Sequence, residues 1–355
     1  MNQMTLFNAK AERGFYMETK RENQVRIAYY DNIKLLMVVM MVIGHFVEFF
    51  TQKSNICQSI YLFIYAFHMP MLIFISGLFY TNKNNTKKAI YFICCGFALK
   101  FALSIVRLIC GKDVNFFLLS DSGTPWFMFA LAAYQFGGLF FHGINKRFLL
   151  CFFIILACFM GYDTSIQDYL YISRIVVFAP FFLLGTMLSS KKYVISKFNP
   201  RIMITPALCI MLLWFYCCFF KTDVFYIYRH LFTGRNPFSS TVVSYGPLAR
   251  LLCYGITVAT CSSLLVLVPR GRIPFFSLLG RRTLNIYFWH YIIFMLLDRF
   301  LNIRNIYQYG IAGNVIAGKI TFILIGIILS IILSSFRIFD YPLNIIKRNC
   351  YRNIN

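Results

Sequence analysis

The sequence predicts an all-α membrane protein, a polytopic bundle of about ten transmembrane helices with both termini in the cytoplasm. Three observations predict it. The 355 residues are 59% hydrophobic and only 13% charged, with mean hydropathy +0.66, whereas a soluble globular chain carries about 25% charge. The apolar residues come in blocks of roughly 20, long enough to cross ~30 Å as helices, and lack the ~10-residue alternation of a barrel strand. Lys and Arg gather in every second connection, the distribution that orients helices in a bilayer.

The blocks lie near 33–50, 58–80, 89–110, 125–141, 148–161, 170–189, 203–220, 245–268, 283–300 and 315–336. The first carries Lys34, His45 and Glu48. The second holds Phe67-His68-Met69-Pro70, where a proline kinks the helix, and Ser76-Gly77, a small-residue packing site. Lys100 and Arg107 fall in the third, and the fourth opens with Pro125-Trp126-Phe127. The fifth is short enough to be tilted, re-entrant or extended into its flanks. Arg174, Arg250, His290 and Lys319 mark the sixth, eighth, ninth and tenth. An even number of spans puts both ends of the chain on one side. That side, comprising both tails and the even-numbered connections, holds twenty-two Lys and Arg; the other holds six, Lys53, Lys112, Lys221, Arg229, Arg235 and Arg304.

The organisation expected is a polar cytoplasmic tail over 1–28, one membrane domain over 29–340, and a basic cytoplasmic tail over 341–355. The first 28 residues have no apolar run before a cleavage site, so no removable signal peptide is expected. The net charge of +23 is explained by loop orientation and anionic lipid, which sets nucleic acid aside as a partner. Ten of the twelve cysteines lie in apolar blocks, where they act as small hydrophobes; neither a disulfide framework nor a metal site follows from their spacing. The longest loop, 221–244, with Tyr226, Tyr228, Arg229, His230, Arg235 and Asn236, reads as a polar connector that could meet an acceptor on the outside.

Seven cations fall within or at the ends of spans: Lys34, Lys100, Arg107, Arg174, Arg250, Arg299 and Lys319. A charge at mid-membrane costs about 2.5–3.5 kcal/mol even on insertion scales, so it faces a bundle interior or a wet cavity. Arg299 and Lys319 are read as snorkelling. Asp and Glu, 12 in the whole chain, are too scarce to pair Arg107, Arg174 and Arg250 all, which suits an interior that receives an anionic ligand.

The first span carries the most chemistry. Lys34 and His45 are eleven residues apart, three turns plus roughly 20°, so they share a face with Glu48 one turn further on. An imidazole can accept the proton of a hydroxyl that attacks a carbonyl, and a carboxylate within one turn can hold its tautomer. The same pair could instead close a helix contact.

Tyr30-Asp31-Asn32-Ile33-Lys34, ten intervening residues, and Gly44-His45-Phe46 resemble the opening helix of the membrane acyltransferase-3 family, more narrowly its fucose-4-O-acetylase-like branch. Phe67-His68-Met69-Pro70 through Ser76-Gly77, the Trp126-Phe127 opening, Arg174 followed by Pro180 through Gly185, and Gly280-Arg281-Arg282-Thr283-Leu284-Asn285-Ile286-Tyr287-Phe288-Trp289-His290 resemble later elements in the family's order. Lys34 stands where many members have Arg; an ammonium remains a point charge for phosphate but makes no two-pronged contact.

The resemblance implies an integral membrane O-acyltransferase of the plasma (inner) membrane. It would transfer an acyl group, commonly acetyl, from acetyl-coenzyme A as co-substrate to a hydroxyl of a cell-surface sugar or polysaccharide, without a metal. Lys34, with Arg281 or Arg282, would meet the donor phosphates, and His45 would act as base or as nucleophile, with Glu48 as its orienter. Arg174 or Arg107 would contact substrate or stabilise an oxyanion. His68 would bind substrate or serve helix packing, its imidazole satisfying a carbonyl freed by the proline. His290 reads as a buried hydrogen-bonding residue below the depth of His45. The competing class is a transporter or flippase for an anionic glycolipid or polysaccharide intermediate.

Overall fold

The computed structural model describes residues 27–352, apart from 115, 121, 122, 142, 167 and 312. The five cations expected in the N-terminal tail, Lys10 to Arg26, lie outside the described residues. Every one of the ten apolar blocks is helical. In order they form α1 (Ala28–Glu48), α2 (Asn55–Tyr65) with α3 (His68–Leu78), α4 (Asn85–Ile109), α5 (Trp126–Phe140), α6 (Lys146–Met160) and α7 (Ile172–Met187). These are followed by α8 (Arg201–Phe220), α9 (Gly246–Leu267), the short α10 (Pro274–Leu279), α11 (Thr283–Leu301), α12 (Ile303–Tyr309), α13 (Val315–Ser335) and α14 (Tyr341–Arg352). Among the described residues there are no strands, only the isolated bridges Ser120 with Tyr169 and Ile311 with Asn314. The chain is a multi-pass, all-α membrane protein.

By length and composition, six helical stretches can each cross a bilayer: α1, α2 with α3, α4, α8, α9 with the turn before it, and α13; α7 joined to the bent segment after it would make a seventh. The 15-residue α5 and α6 are only ~22 Å long at 1.5 Å per residue. Both must therefore thin the bilayer, rely on their flanking residues or pack inside the bundle.

Burial sorts interior from rim. Two-thirds of the apolar window of α1 (67%) and 78% of that of α2–α3 are covered by protein, against 17% for α8. An apolar helix left uncovered in a membrane protein faces lipid, so α8 is rim and α1 is hub. α1 packs against α2, α3, α10, α11 and α13. Its first turn is pinned by Asn32, whose amide donates to Pro269 O (2.9 Å) and Gly271 O (3.0 Å) while accepting from Ser277 Oγ (2.7 Å).

The second block is broken between α2 and α3, and the break follows from Pro70. Proline has no N–H for the carbonyl four residues earlier, Ala66 O. Thr257 Oγ on α9 donates to that carbonyl at 2.8 Å. The carbonyl that His68 satisfies is a different one, Ile64 O, at 2.9 Å from Nδ1; sequence reasoning had given the imidazole the proline's orphan. Beyond the break, Gly77 lets α3 cross α7: a Cβ there would stand 2.1 Å from Phe182 O, and one at Gly185 would stand 2.2 Å from Phe74 O. Ser76 takes no part in that crossing through its hydroxyl, which bonds back to Leu72 O at 2.9 Å.

Two expectations change. Residues 341–352, read as a tail, form the amphipathic α14. Leu343 and Cys350 are buried against α4 and its neighbours, while Lys347 and Arg348 are exposed. The 221–244 loop is no free connector: Ser173 Oγ bonds Gly234 O and Asn236 Oδ1 at 2.8 Å each, and Asn236 Nδ2 donates to Met160 O at 2.6 Å.

Candidate active site

His45 lies in the last turn of α1, and helical periodicity puts the carboxylate of Glu48 beside it, Oε2 at 3.3 Å from Nδ1. Tyr65, the final residue of α2, reaches both: its hydroxyl donates to Glu48 Oε2 at 3.3 Å and stands 3.4 Å from His45 Nδ1. Gly44 makes this approach possible, because a Cβ at 44 would lie 3.0 Å from the Tyr65 ring. From the other side α11 brings His290, its ring centroid 5.3 Å from that of His45, and Tyr291 at 6.1 Å. The His45 ring is thus flanked by α2 and α11. The side chain of His45 is 21% exposed and that of Glu48 49%, whereas His68 and His290 are buried.

His68 opens α3 beside Tyr65, ring centroids 4.8 Å apart and edge to face, with Tyr61 stacked on Tyr65 at 3.8 Å. A cationic group adjoins this aromatic wall. Arg174 of α7 lies 3.7 Å from Asp168 Oδ1 and over the Trp126 ring at 5.1 Å; Arg235 of the 221–244 loop shares Asp168 at 3.1 Å. Arg235 lies within electrostatic range of Glu48, and Arg174 within range of Tyr61 and Tyr65.

The other candidates sit elsewhere. Lys34 is ~16 Å down α1 from His45, paired with Asp31 at 2.7 Å. Arg282 binds Asp340 (3.4 Å) and Ser335 O (2.8 Å), which fastens the start of α11 to the end of α13; Arg281 is exposed at the same level. Arg107 is half-buried in the last turn of α4, where a cation complements the helix dipole. The other interior cations are quieted by backbone carbonyls more than by acids. Lys100 Nζ donates to Phe117 O (2.6 Å), Leu118 O (3.1 Å) and Ser120 O (3.4 Å), and Arg250 to Leu231 O (2.6 Å). A cavity of 320 Å³ lies away from His45, among α5, α6 and α7, lined by Tyr80, Tyr134, Phe182 and Lys146.

The stretches singled out in the sequence therefore meet in space. Gly280 packs on the backbone of Asp31, Tyr287 hydroxyl donates to Thr124 O just before Trp126, Trp126 carries Arg174, and His290 lies on His45. Sequence reasoning missed Tyr65, named Arg235 only within a polar connector that could meet an acceptor, and did not set His290 against His45. The signal for His290 was present in its spacing from Tyr287, but that α11 lays it on His45 is a tertiary fact.

The family model described as an acyltransferase domain matches residues 27–336. The chain belongs to the acyltransferase-3 family. No curated protein and no solved structure matches it. This membrane acyltransferase places the basic residue and histidine of the family resemblance, Lys34 and His45, on one helix, and surrounds the histidine with Glu48, Tyr65 and His290.

Proposed function

We propose that the protein is an O-acyltransferase of the plasma (inner) membrane that moves an acyl group, acetyl in the first instance, from acyl-coenzyme A to a hydroxyl of a cell-surface sugar or polysaccharide. The observation that carries this reading is the Glu48–His45 pair with its imidazole turned toward α2 and α11. Both termini are taken as cytoplasmic, on the Lys and Arg asymmetry. The donor then enters at the Lys34 end of α1, where Lys34, Arg281 and Arg282, each on leaving its present partners, meet its phosphates. Its flexible arm carries the thioester up to His45.

With Glu48 accepting Nδ1–H, His45 Nε2 holds the lone pair. In the base route, the acceptor oxygen bonds the thioester carbonyl carbon while Nε2 takes its proton; the C–S bond then breaks and the imidazolium protonates the leaving thiolate. In the nucleophile route, Nε2 bonds the thioester carbonyl carbon and the C–S bond breaks to release the thiolate; the acceptor hydroxyl then takes the acyl group from Nε2, and its proton ends on the thiolate. Arg174 serves the developing oxyanion and Arg107, near the outer end of α4, serves the acceptor, while His68, buried and bonded to Ile64 O, backs Tyr65. The other reading open to the sequence, carriage of an anionic glycolipid, has no use for a carboxylate-held imidazole. The test is a folded, membrane-inserted His45→Ala protein supplied with acetyl-coenzyme A. Loss of acetyl from surface glycans by mass spectrometry, with a fall of about 10²–10⁴-fold in turnover, is expected; near-wild-type transfer overturns the assignment.

A further inference from the structure

His290 is 1% exposed and stands beside His45 without a role in the steps above. Its Nδ1 lies 3.0 Å from Ile286 O and 2.8 Å from Tyr287 O, both backbone carbonyls. Two acceptors around one ring nitrogen make that nitrogen the N–H, so Nε2 carries a lone pair. Among the described residues no hydrogen-bond partner meets Nε2, and it is buried. An acceptor sealed from water without a donor is destabilising, and native folds keep few of them. This one is 5.3 Å, ring to ring, from the imidazole proposed to act on the acceptor hydroxyl, with the ring planes 27° apart and Tyr291 in contact with both. His68 also commits Nδ1 to a carbonyl, yet its neighbour is the Tyr65 ring.

We propose that His290 Nε2 is a substrate-binding acceptor at the reacting centre, receiving a hydrogen bond from an O–H or N–H group of a substrate next to the bond being made. The inference rests on the acyl-transfer reading and adds a requirement to it: the reacting hydroxyl, already engaged by His45, cannot be the donor. Two substrate groups carry the needed chemistry. One is a second hydroxyl adjacent to the reacting one, as on a sugar ring; the other is an amide N–H of the coenzyme A arm. No bond is broken and no proton leaves its atom at His290. Its contribution is to fix which of several neighbouring hydroxyls faces His45, or how far the thioester is drawn in.

The experiment uses the full-length protein in proteoliposomes, with acetyl-coenzyme A as donor and the surface glycan of the expressing cell as acceptor. Initial rates are measured against each substrate for the wild type, His290→Gln, which keeps a carbonyl acceptor, and His290→Leu, which does not. The Leu variant is expected to melt no lower than the wild type and to lose about 10-fold or more in kcat/KM, with Gln recovering part of the loss. A KM rise confined to the glycan assigns the neighbouring hydroxyl, and one confined to acetyl-coenzyme A assigns the amide. Equal kinetics for wild type and Leu overturn the proposal, as does equal loss in Leu and Gln. Should Leu fail to fold, His290→Met replaces it; failure of both makes the imidazole structural and overturns the proposal too. The two readings fail separately: transfer by His45→Ala sinks the acyltransferase mechanism, whereas His45-dependent transfer indifferent to His290 sinks only this inference.

Discussion

Glu48 lies one turn from His45 on the same helix, so its carboxylate stays with the imidazole whichever neighbouring helix moves. Replacing it with Gln keeps the shape and removes the charge that favours imidazolium; turnover is expected to fall by roughly 10-fold to 10²-fold, less than the loss on removing the base. Tyr65→Phe removes a hydroxyl shared by Glu48 and His45, and the expected fall is smaller still, with unchanged melting. Both are read from initial rates of acetyl transfer. The pair His45 and Glu48 was legible because helical periodicity is local. Tyr65, twenty residues away, and His290, on another helix, were not, since nothing within a segment says which distant ring will pack on it.

Hydrogen bonds across breaks decide the stability of single elements. Thr257→Val strands the carbonyl that Pro70 frees; an interhelical bond of this kind is worth about 0.6–1.7 kcal/mol, so a small fall in melting temperature is expected with transfer intact. Gly185→Val places carbon where the α3 backbone stands, and little folded protein should be recovered after extraction. In the 221–244 loop, burial, then Arg229 and Arg235, hold His230 below its ordinary pKa. The unfolded chain thus binds more protons than the folded one, and stability should decline as the pH drops through ~6.5. A His230→Gln protein should lack that part of the slope in a pH series of melting curves. The blocks themselves were readable from composition; the Ala66–Phe67 break was announced by Pro70, but the identity of the group that mends it was not.

At the scale of the molecule, the Lys and Arg distribution makes a prediction about sidedness. A fluorescent protein fused to the C-terminus should fluoresce, and alkaline phosphatase fused there should stay inactive; the reverse would invert the donor route. The amphipathic α14, with Lys347 and Arg348 exposed, would then lie at the cytoplasmic surface, where basic helices meet anionic headgroups. Ten helical blocks need not mean ten crossings, because α5 and α6 are too short to span without thinning the bilayer.

By itself the sequence determined the class, the helical blocks and the Lys34–His45–Glu48 stripe, since each follows from hydrophobicity and from the 3.6-residue period within one segment. It also carried the family, through motifs that survive being read in one dimension. Only the tertiary structure decided that Tyr65 and His290 flank His45, that Arg174 and Arg235 share one carboxylate, and that the loop bearing Arg235 folds onto the bundle. These are contacts between helices whose relative depth and rotation depend on how all the apolar faces pack together at once, and no single segment contains that information.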